Sequence, residues 1–383
     1  MSTNEGAIRH TVKAIWLSCG RENQSVRFSK GSLVSASTVL VTTRSFSSGD
    51  FDGTAALEEE GLEVVTGPQD HDLEALRPML AEALVWIAGT GPVTAEHLEA
   101  APQLRLIARY GVGVDAVDVG AAAERDIPVT NTPGANSDGV ADHAVALILA
   151  ALRRIPAGDR SVRAGSWRPQ RSRELGHLCV GIVGLGQIGR GVVQRLSGFG
   201  STLIGFDPGL DEAELGEIGV EPVSMTDLAA RSDVVSLHAP GQETLVDADW
   251  LAQVKPGMVL VNTARAGLVD EDAVARALSE DRLQVYATDT PSTEPGTAES
   301  QDDSPLLAEH LLDRTIFTPH VGAQTREAVD EMTRGALAAV LALVRGEDLP
   351  NVVPPPQPES QPESQPESQP ESQPESQPDS PRA

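Results

Sequence analysis

The fold of this chain is decided by residues 178–207, which read LCVGIVGLGQIGRGVVQRLSGFGSTLIGFD. The apolar run 179–183 predicts a strand, and three glycines follow it with the spacing G-x-G-x-x-G. Apolar residues then recur at helical spacing, and a second strand-like run, 202–206, ends at Asp207. This order of strand, glycine turn, helix and strand is the context that a dinucleotide-binding βαβ unit requires.

Each glycine of this motif meets a different steric need. Gly184 permits a tight turn, Gly186 lets the backbone approach a pyrophosphate, and Gly189 lets helix and strand pack closely. Free N–H groups at the helix N-terminus attract phosphates. Asp207 stands 18 residues after Gly189, where its carboxylate can accept hydrogen bonds from a ribose diol and repel a 2′-phosphate. The segment therefore predicts a site for NAD rather than NADP, and a purely structural glycine turn is the alternative.

The composition is that of an acidic, glycine-rich chain of 383 residues, long enough for two or three domains. Its formal net charge of −27 argues against nucleic acid or an anionic membrane as a partner. The two cysteines, Cys19 and Cys179, cannot form a disulfide framework. The sequence contains no apolar run of transmembrane length and no secretory signal pattern. We therefore expect a cytoplasmic protein.

The chain divides by pattern into an ordered middle part and two flanks. Residues 1–36 show no sustained periodicity and are interpreted as a disordered extension, with a transit peptide as the alternative. In the middle part strands and helices alternate, which predicts parallel sheets, and helices are predicted at 142–152 and 325–344. Residues 354–383 repeat Pro, Glu, Ser and Gln without an apolar residue, which predicts a disordered tail.

Three residues after strand ends are candidates for chemistry on a substrate beside a nicotinamide. The guanidinium of Arg265 can hold a carboxylate through two hydrogen bonds. His320, in FTPHVGA, can give a proton to a developing alkoxide or remove one from an alcohol. Glu294, in DTPSTEP, can bond that imidazole and raise its pKa. Each also has an ordinary structural interpretation, and spacing alone does not show that the three meet.

Seven segments, in the same order along the chain, resemble the D-isomer-specific 2-hydroxyacid dehydrogenases. They are RYGVGVDAVD (109–118), NTPGANSDGVADH (131–143), GLGQIG (184–189), SLHAP (236–240), NTARAGLVDEDAV (262–274), Asp289 with Glu294-Pro295, and TPHVGAQTREA (318–328). The resemblance extends from about Ser37 to Val353, and on it the chain is identified as a member of that family.

The resemblance implies a role for each matching position. Arg265 would bind substrate, and Glu294 would assist His320 in proton transfer. The loop Gly111-Val112-Gly113 resembles the cradle for the substrate carboxylate, and Arg109 before it resembles the cation with which 3-phosphoglycerate dehydrogenases hold a phosphate. Asp289 matches the residue that binds the nicotinamide carboxamide. The implied contacts to NAD are Val112, Gly184, Gly186, Gln187, Ile188, Gly189, Asp207, Pro240, Thr263, Ala264, Arg265, Asp289, His320 and Gly322.

The sequence thus predicts two Rossmann-like α/β domains, each with a doubly wound parallel sheet, and a cleft between them. The substrate domain is predicted at 37–139 with 319–353, and the NAD-binding domain at 140–318. The resemblance implies a homodimeric, NAD-dependent dehydrogenase of small D-2-hydroxy acids, without a metal, most similar to the 3-phosphoglycerate dehydrogenases of serine biosynthesis.

Two other functions stay open at this point. Within the family, the alternative is a glyoxylate or hydroxypyruvate reductase, because the strand end IAGTGPVT (87–94) lacks the second arginine usual in phosphoglycerate enzymes. The unusual Asp142, where glutamate is typical, also separates the chain from the common pattern. From a different class, the alternative is a dinucleotide-sensing protein without catalytic activity.

Overall fold

The computed structural model describes residues 37–241, 243–293 and 303–356. The predicted N-terminal extension, all but the first three residues of the predicted tail, and Glu294 lie outside these residues.

The described chain contains two sheets, and every strand pair in both is parallel. The first sheet has five strands in the order β2-β1-β3-β4-β5, and the second has seven in the order β12-β11-β10-β9-β6-β7-β8. The strands are β1 Thr38–Val41, β2 Glu63–Thr66, β3 Ala83–Ala88, β4 Leu106–Arg109, β5 Val129–Thr130, β6 Cys179–Val183, β7 Thr202–Phe206, β8 Glu221–Pro222, β9 Val234–Leu237, β10 Met258–Asn262, β11 Leu283–Thr288 and β12 Thr315–Phe317. This arrangement confirms the predicted fold class.

Helices connect the strands, as parallel pairing requires. They are α1 Gly53–Glu59, α2 Leu73–Leu80, α3 Ala95–Glu99, α4 Val119–Ala123, α5 Ser137–Leu152, α6 Ile155–Arg163, α7 Gln187–Ser197, α8 Glu212–Ile218, α9 Met225–Arg231, α10 Ala248–Leu251, α11 Glu271–Ser279 and α12 Arg326–Arg345. Many of them begin after an Asp, Ser or Thr whose side chain accepts a hydrogen bond from a backbone N–H of the first turn. None of the described helices has both the length and the apolar character of a membrane span.

The central strands are mostly apolar and buried because helices cover both faces of each sheet. All six residues of β3 and all five of β10 are buried. Two apolar clusters lie on the two faces of the second sheet, one centred on Leu260 and Tyr286 and the other on Ile182 and Val259. Each fully buried Leu, Ile or Val contributes roughly 1.5–3 kcal/mol relative to an exposed one.

The chain passes between the two sheets at two neighbouring places, one before α5 and one before α12. A side chain at Gly139 in α5 would lie 2.9 Å from the carbonyl oxygen of Gly322, which precedes α12, so the two passages touch. From there α12 returns to the first sheet, where Met332, Leu337 and Val340 join its core. His320 consequently lies at the point where the chain leaves the second sheet for the first.

Candidate active site in the cleft between the sheets

A cleft of about 650 Å³ lies where the carboxyl ends of strands from both sheets face each other. Open α/β sheets bind ligands at this edge. The cleft gathers residues that are far apart in the sequence. The predicted site residues that line it are Arg109, Gly111, Val112, Gly113, Gly186, Ile188, Pro240, Thr263, Ala264, Arg265, Asp289 and His320. Gly184, Gln187, Gly189, Asp207 and Gly322 are not among the lining residues, and Glu294 lies outside the described residues.

The glycine turn between β6 and α7 has the shape that a pyrophosphate needs. Gly184 has a φ of +91°, and a side chain there would press on the backbone of His238. A Cβ at Gly189 would overlap the carbonyl oxygen of Gly184, so only glycine permits this approach. A Cβ at Gly186, in contrast, would meet no atom within 4 Å, which leaves the turn open at the N-terminus of α7. These residues therefore fit the diphosphate of NAD.

Asp207 follows β7 and is hydrogen-bonded to the glycine turn. It is 6% exposed; its Oδ2 accepts the N–H of Leu185 at 2.8 Å and its Oδ1 accepts that of Gly209 at 2.8 Å. Burial raises the pKa of Asp207, while these two backbone donors act in the opposite direction. Each oxygen keeps a lone pair that a ribose hydroxyl can use. Gln187 faces α5 instead, where its Oε1 accepts the Ser137 hydroxyl at 3.1 Å.

Arg265, directly after β10, reaches across the cleft to the loop that follows β4. Its Nε donates to Oδ2 of Asp115 at 2.8 Å, and its Nη1 donates to the carbonyl of Ala264 at 2.8 Å. A Cβ at Gly113 would overlap the Nη2 of Arg265. The close approach of the guanidinium therefore requires glycine at position 113. The side chain is thus held by its Nε edge, and its Nη2 lies next to the glycine loop.

Arg109, at the end of β4, is a buried cation beside Arg265. Burial, followed by the positive charge of Arg265, lowers the pKa of Arg109 to about 10, and the carboxylate of Asp115 acts against this shift. Its Nη1 donates to the carbonyl of Tyr110. Within the described part of the chain, its buried Nε has no hydrogen-bond partner. An unsatisfied buried cation is costly, and an anionic group in the cleft would reduce that cost.

The loop that carries His320 is organised by the carboxylate of Asp289, which is 3% exposed. Its Oδ1 accepts the Val321 N–H at 2.9 Å and the Thr318 hydroxyl at 2.5 Å, and its Oδ2 accepts the Gly322 N–H at 2.8 Å. Burial acts to raise the pKa of Asp289, yet the donors, first among them His143, bring it below its usual range. Among the described residues Oδ2 has one donor, which leaves it a lone pair for the carboxamide that the resemblance implies.

Three residues that sequence reasoning did not single out take part in this geometry. His143 on α5 lies 2.9 Å from the Thr318 hydroxyl and 3.3 Å from Oδ1 of Asp289. Asp115 is the partner of Arg265. His238, which lines the cleft after β9, is partly buried, and burial lowers its pKa to about 3. All three stand in segments that carry the family resemblance, but only the fold shows what each one contacts.

The open glycine turn, the buried acid beside it and the cleft at the strand ends define a dinucleotide-binding α/β protein. The family model of the D-isomer specific 2-hydroxyacid dehydrogenase NAD binding domain matches residues 145–322. The chain belongs to the family of D-isomer-specific 2-hydroxyacid dehydrogenases. This finding confirms the family prediction and the prediction of NAD as the cofactor.

Individual relatives agree with this assignment. The chain is 42% identical over 294 residues to a D-3-phosphoglycerate dehydrogenase of Mycobacterium tuberculosis, a match covering 76% of this chain and 54% of that protein. It is 38% identical to a glyoxylate reductase of Korarchaeum cryptofilum, covering 69% of this chain and 80% of the relative. The chain spans about half the length of the phosphoglycerate dehydrogenases that it matches.

Solved structures show the same architecture. The structure of an NAD-dependent formate dehydrogenase from Staphylococcus aureus in complex with NAD superimposes with a TM-score of 0.69 at 30% identity. The alignment covers 82% of this chain and 98% of that one, so it includes both sheets.

Proposed function

We propose that this chain is an NAD-dependent oxidoreductase that transfers hydride between C2 of a D-2-hydroxy acid and C4 of the nicotinamide. The observation that carries the proposal is the convergence of Arg265, Arg109 and His320 on one cleft that also contains the open glycine turn. A cation for a carboxylate, a proton carrier and a dinucleotide site are the parts this reaction needs.

In the proposed mechanism the substrate is held by its carboxylate. Arg265 and the backbone N–H groups of the loop 111–113 would bind that carboxylate. His320 gives a proton to the substrate oxygen during reduction and removes it during oxidation. Glu294 would assist His320 in this proton transfer, as the family resemblance implies. Bound NAD supplies the hydride acceptor, and its reduced form the donor.

The proposed substrate class is a 2-hydroxy acid with a second anionic group, as in 3-phosphoglycerate. Arg109 supports it, because this buried cation lies beside Arg265, and its Nε is unsatisfied among the described residues. Two guanidiniums share the single carboxylate of Asp115, so the cluster has a surplus of positive charge. A phosphate at Arg109 and a carboxylate at Arg265 would both find donors.

One observation favours the rival function, a glyoxylate or hydroxypyruvate reductase. The cleft wall after β3 is formed by Gly89 and Thr90 rather than by an arginine, so this position offers a phosphate no cation, although Arg44 after β1 also lines the cleft. The experiment that decides is a panel of 3-phosphoglycerate, glyoxylate and hydroxypyruvate, each with NAD or NADP in the matching redox state. We expect the highest kcat/KM with 3-phosphoglycerate and NAD. Activity on glyoxylate and none on 3-phosphoglycerate would establish the rival, and NAD binding without any turnover would indicate a sensing protein.

We also propose that the chain is a cytoplasmic homodimer. Ile155, Val162 and Trp167 expose 57%, 47% and 82% of their surface, and all three lie on or just after α6. Apolar side chains grouped on a surface often mark a protein interface. Sedimentation of the purified chain should give twice the monomer mass of 40.3 kDa, and Trp167→Ala should shift the equilibrium toward monomer. A wild-type chain that sediments as a monomer would contradict the dimer.

We propose that the chain has the two domains predicted from the sequence. The substrate domain comprises residues 37–139 and 319–353, and the NAD-binding domain comprises residues 140–318. Two observations support them: the two sheets divide between these ranges, and α12 packs on the first sheet. Limited proteolysis with and without NAD should cut first in the two passages between the sheets, residues 131–136 and 318–325. Early cleavage inside either sheet would argue against these limits.

A further inference from the structure

A second cavity, of about 370 Å³, lies at the edge of the seven-stranded sheet that faces away from the cleft. Gly257 and Arg314 of its wall stand directly before β10 and β12, and Asp281 and Gln284 lie at the start of β11. Arg154, between α5 and α6, completes the wall. Because these strands are parallel, their amino ends lie at the edge opposite to the carboxyl ends that form the cleft. The cavity is therefore separate from the candidate active site.

The guanidinium of Arg154 has no partner in the described part of the chain. Its Nε is buried and lacks a hydrogen bond, and its side chain forms no ion pair there. The neighbouring Arg153, in contrast, is exposed, and its Nε donates to the hydroxyl of Ser172 at 3.1 Å. A buried donor on a charged group is costly without a partner, and an oxyanion in the cavity would remove that cost.

The backbone of Arg154 is also unusual. Its φ of 53° and ψ of 38° lie in the left-handed region, which residues other than glycine seldom adopt. Its N–H donates to the carbonyl of Ala151 at 3.1 Å, and its carbonyl accepts the N–H of Gly158 at 2.9 Å, so both neighbouring helices hold it. Strained conformations persist where the surroundings determine them, and they are concentrated at binding and catalytic positions. The turn between α5 and α6 therefore fixes the point from which the Arg154 side chain reaches the cavity wall.

The wall of the cavity carries a surplus of positive charge. Arg314 donates from Nη1 to Oδ1 of Asp281 at 2.8 Å and from Nη2 to the carbonyl of Leu283 at 2.6 Å. The carboxylate of Asp281 is thus already paired with Arg314. The lining side chains comprise two guanidiniums and one carboxylate, a net charge of +1, in a chain whose formal net charge is −27. An anionic group is consequently favoured in this cavity.

We propose that this cavity binds a small oxyanion, a free ion or the phosphate or carboxylate group of a metabolite, at the guanidinium of Arg154 with Arg314 beside it. One edge of a guanidinium presents two parallel N–H groups, which match two oxygens of such a group. The volume lies within the roughly 300–1,000 Å³ of small-molecule pockets. The site is independent of the proposed dehydrogenase activity, because none of its residues lines the cleft.

The test measures how many phosphate ions the full-length chain binds. Isothermal titration with inorganic phosphate, at constant ionic strength, compares the wild type with Arg154→Met and with the matched control Arg153→Met. Methionine keeps much of the side-chain length and removes the charge. We expect Arg154→Met to bind one phosphate fewer than the wild type, or to bind it at least about tenfold more weakly, because charge-assisted hydrogen bonds are lost. Arg153→Met should match the wild type.

A second set of titrations separates this site from the cleft, where the proposed function also places an anion. The phosphate bound at Arg154 should remain in Arg109→Met and disappear in the double variant Arg109→Met/Arg154→Met. Malonate in place of phosphate tests a carboxylate in the same way. Phenyl phosphate distinguishes the two sources of a phosphate: if it binds at Arg154 more tightly than inorganic phosphate, the occupant is an organic phosphate, and otherwise it is the free ion.

Three results would overturn the proposal and leave the proposed function untouched. The first is equal binding of phosphate and of malonate by the wild type and Arg154→Met. The second is an equal loss in Arg153→Met, which would assign the effect to general surface charge. The third is a changed sedimentation of Arg154→Met without any phosphate binding, which would assign Arg154 to a contact between subunits. Should Arg154→Met fail to fold, Arg154→Gly suits the left-handed backbone and must lose the same phosphate.

Discussion

Arg265 and Asp115 form an ion pair that bridges the cleft, with 2.8 Å between Nε of the guanidinium and Oδ2 of the carboxylate. Asp115 follows β4 of the first sheet, and Arg265 follows β10 of the second. Because Asp115 bonds the Nε edge, the Nη2 of Arg265 stays beside the glycine loop, where a substrate carboxylate would lie. Residues that follow strands of both sheets thus orient the guanidinium of Arg265.

The first prediction tests this orientation with Asp115→Asn. Both side chains are about one third exposed, so solvent screens the pair and its contribution is at most about 1 kcal/mol. We expect KM for the 2-oxo acid to rise about fivefold with NADH affinity unchanged, because Arg265 loses its fixed direction. Steady-state kinetics with NADH titration measures both. A fall in KM would show that Asp115 competes with the substrate instead of orienting its partner.

The second prediction concerns Arg109 and the second anionic group of the substrate. Arg109→Met keeps the length of the side chain and removes the charge, so kcat/KM for 3-phosphoglycerate should fall about a hundredfold. Activity on hydroxypyruvate, which has no phosphate, should change less than about threefold. The stability to urea should hold, because replacing a buried charge by an apolar side chain is often neutral. Equal losses on both substrates would remove Arg109 from phosphate recognition.

The third prediction uses the open face of the glycine turn. A Cβ at Gly186 meets no protein atom within 4 Å, so Gly186→Val should leave the free energy of unfolding within about 1 kcal/mol of the wild type. The added methyl groups would occupy the space for the pyrophosphate, and the Kd for NADH should rise more than about tenfold. Gly216→Val on α8, where a Cβ also meets no atom, is the matched control. Unchanged NADH affinity would place the cofactor elsewhere.

The fourth prediction is a loss of stability in mild acid through His71, which is buried beside the cleft wall. Its Nε2 lies 2.7 Å from the Thr42 hydroxyl and its Nδ1 lies 3.0 Å from the carbonyl of Pro92. Burial lowers the pKa of His71 to about 4, and the nearby His97 and Arg109 act in the same direction. Between pH 6.5 and 4 the unfolded chain therefore binds a proton that the folded chain does not.

The free energy of unfolding should consequently decrease as pH falls through this range, by up to about 3 kcal/mol from His71. Urea unfolding at several pH values measures the slope. In His71→Gln the slope should become shallower, since glutamine does not titrate. An equal slope in wild type and variant would assign the acid sensitivity to other groups.

The parts of this molecule that follow from local sequence were predictable. The β6–α7–β7 unit is formed by contiguous residues, so its motif is visible in the sequence. The helix predicted at 325–344 is found at Arg326–Arg345, with Thr325 as its N-cap. The helix predicted at 142–152 begins earlier, at Ser137. Ser137, Asp138 and Gly139 hide its first turn from an apolar pattern, although Asp138 pairs with Arg195.

The contacts that shape the site were not predictable from the sequence. Arg265 and Asp115 are separated by 150 residues. The local sequence around these residues does not indicate which partner each one contacts, because the pairing depends on the order of the strands in the two sheets. The family resemblance indicated which residues belong to the site. Only the fold shows which hydrogen bonds and ion pairs these residues form with one another.

The most direct test of the account is the single-turnover reduction of a 2-oxo acid by His320→Gln, followed through NADH absorbance. His320 lines the cleft at the passage between the sheets. The other described histidine that lines it, His238, has a pKa lowered to about 3 by burial and faces the Ser236 hydroxyl, so it carries no proton to give at neutral pH. We predict that hydride transfer slows by at least about a hundredfold while the Kd for NADH stays within about twofold. Hydride transfer at the wild-type rate in His320→Gln would contradict the mechanism proposed for this cleft.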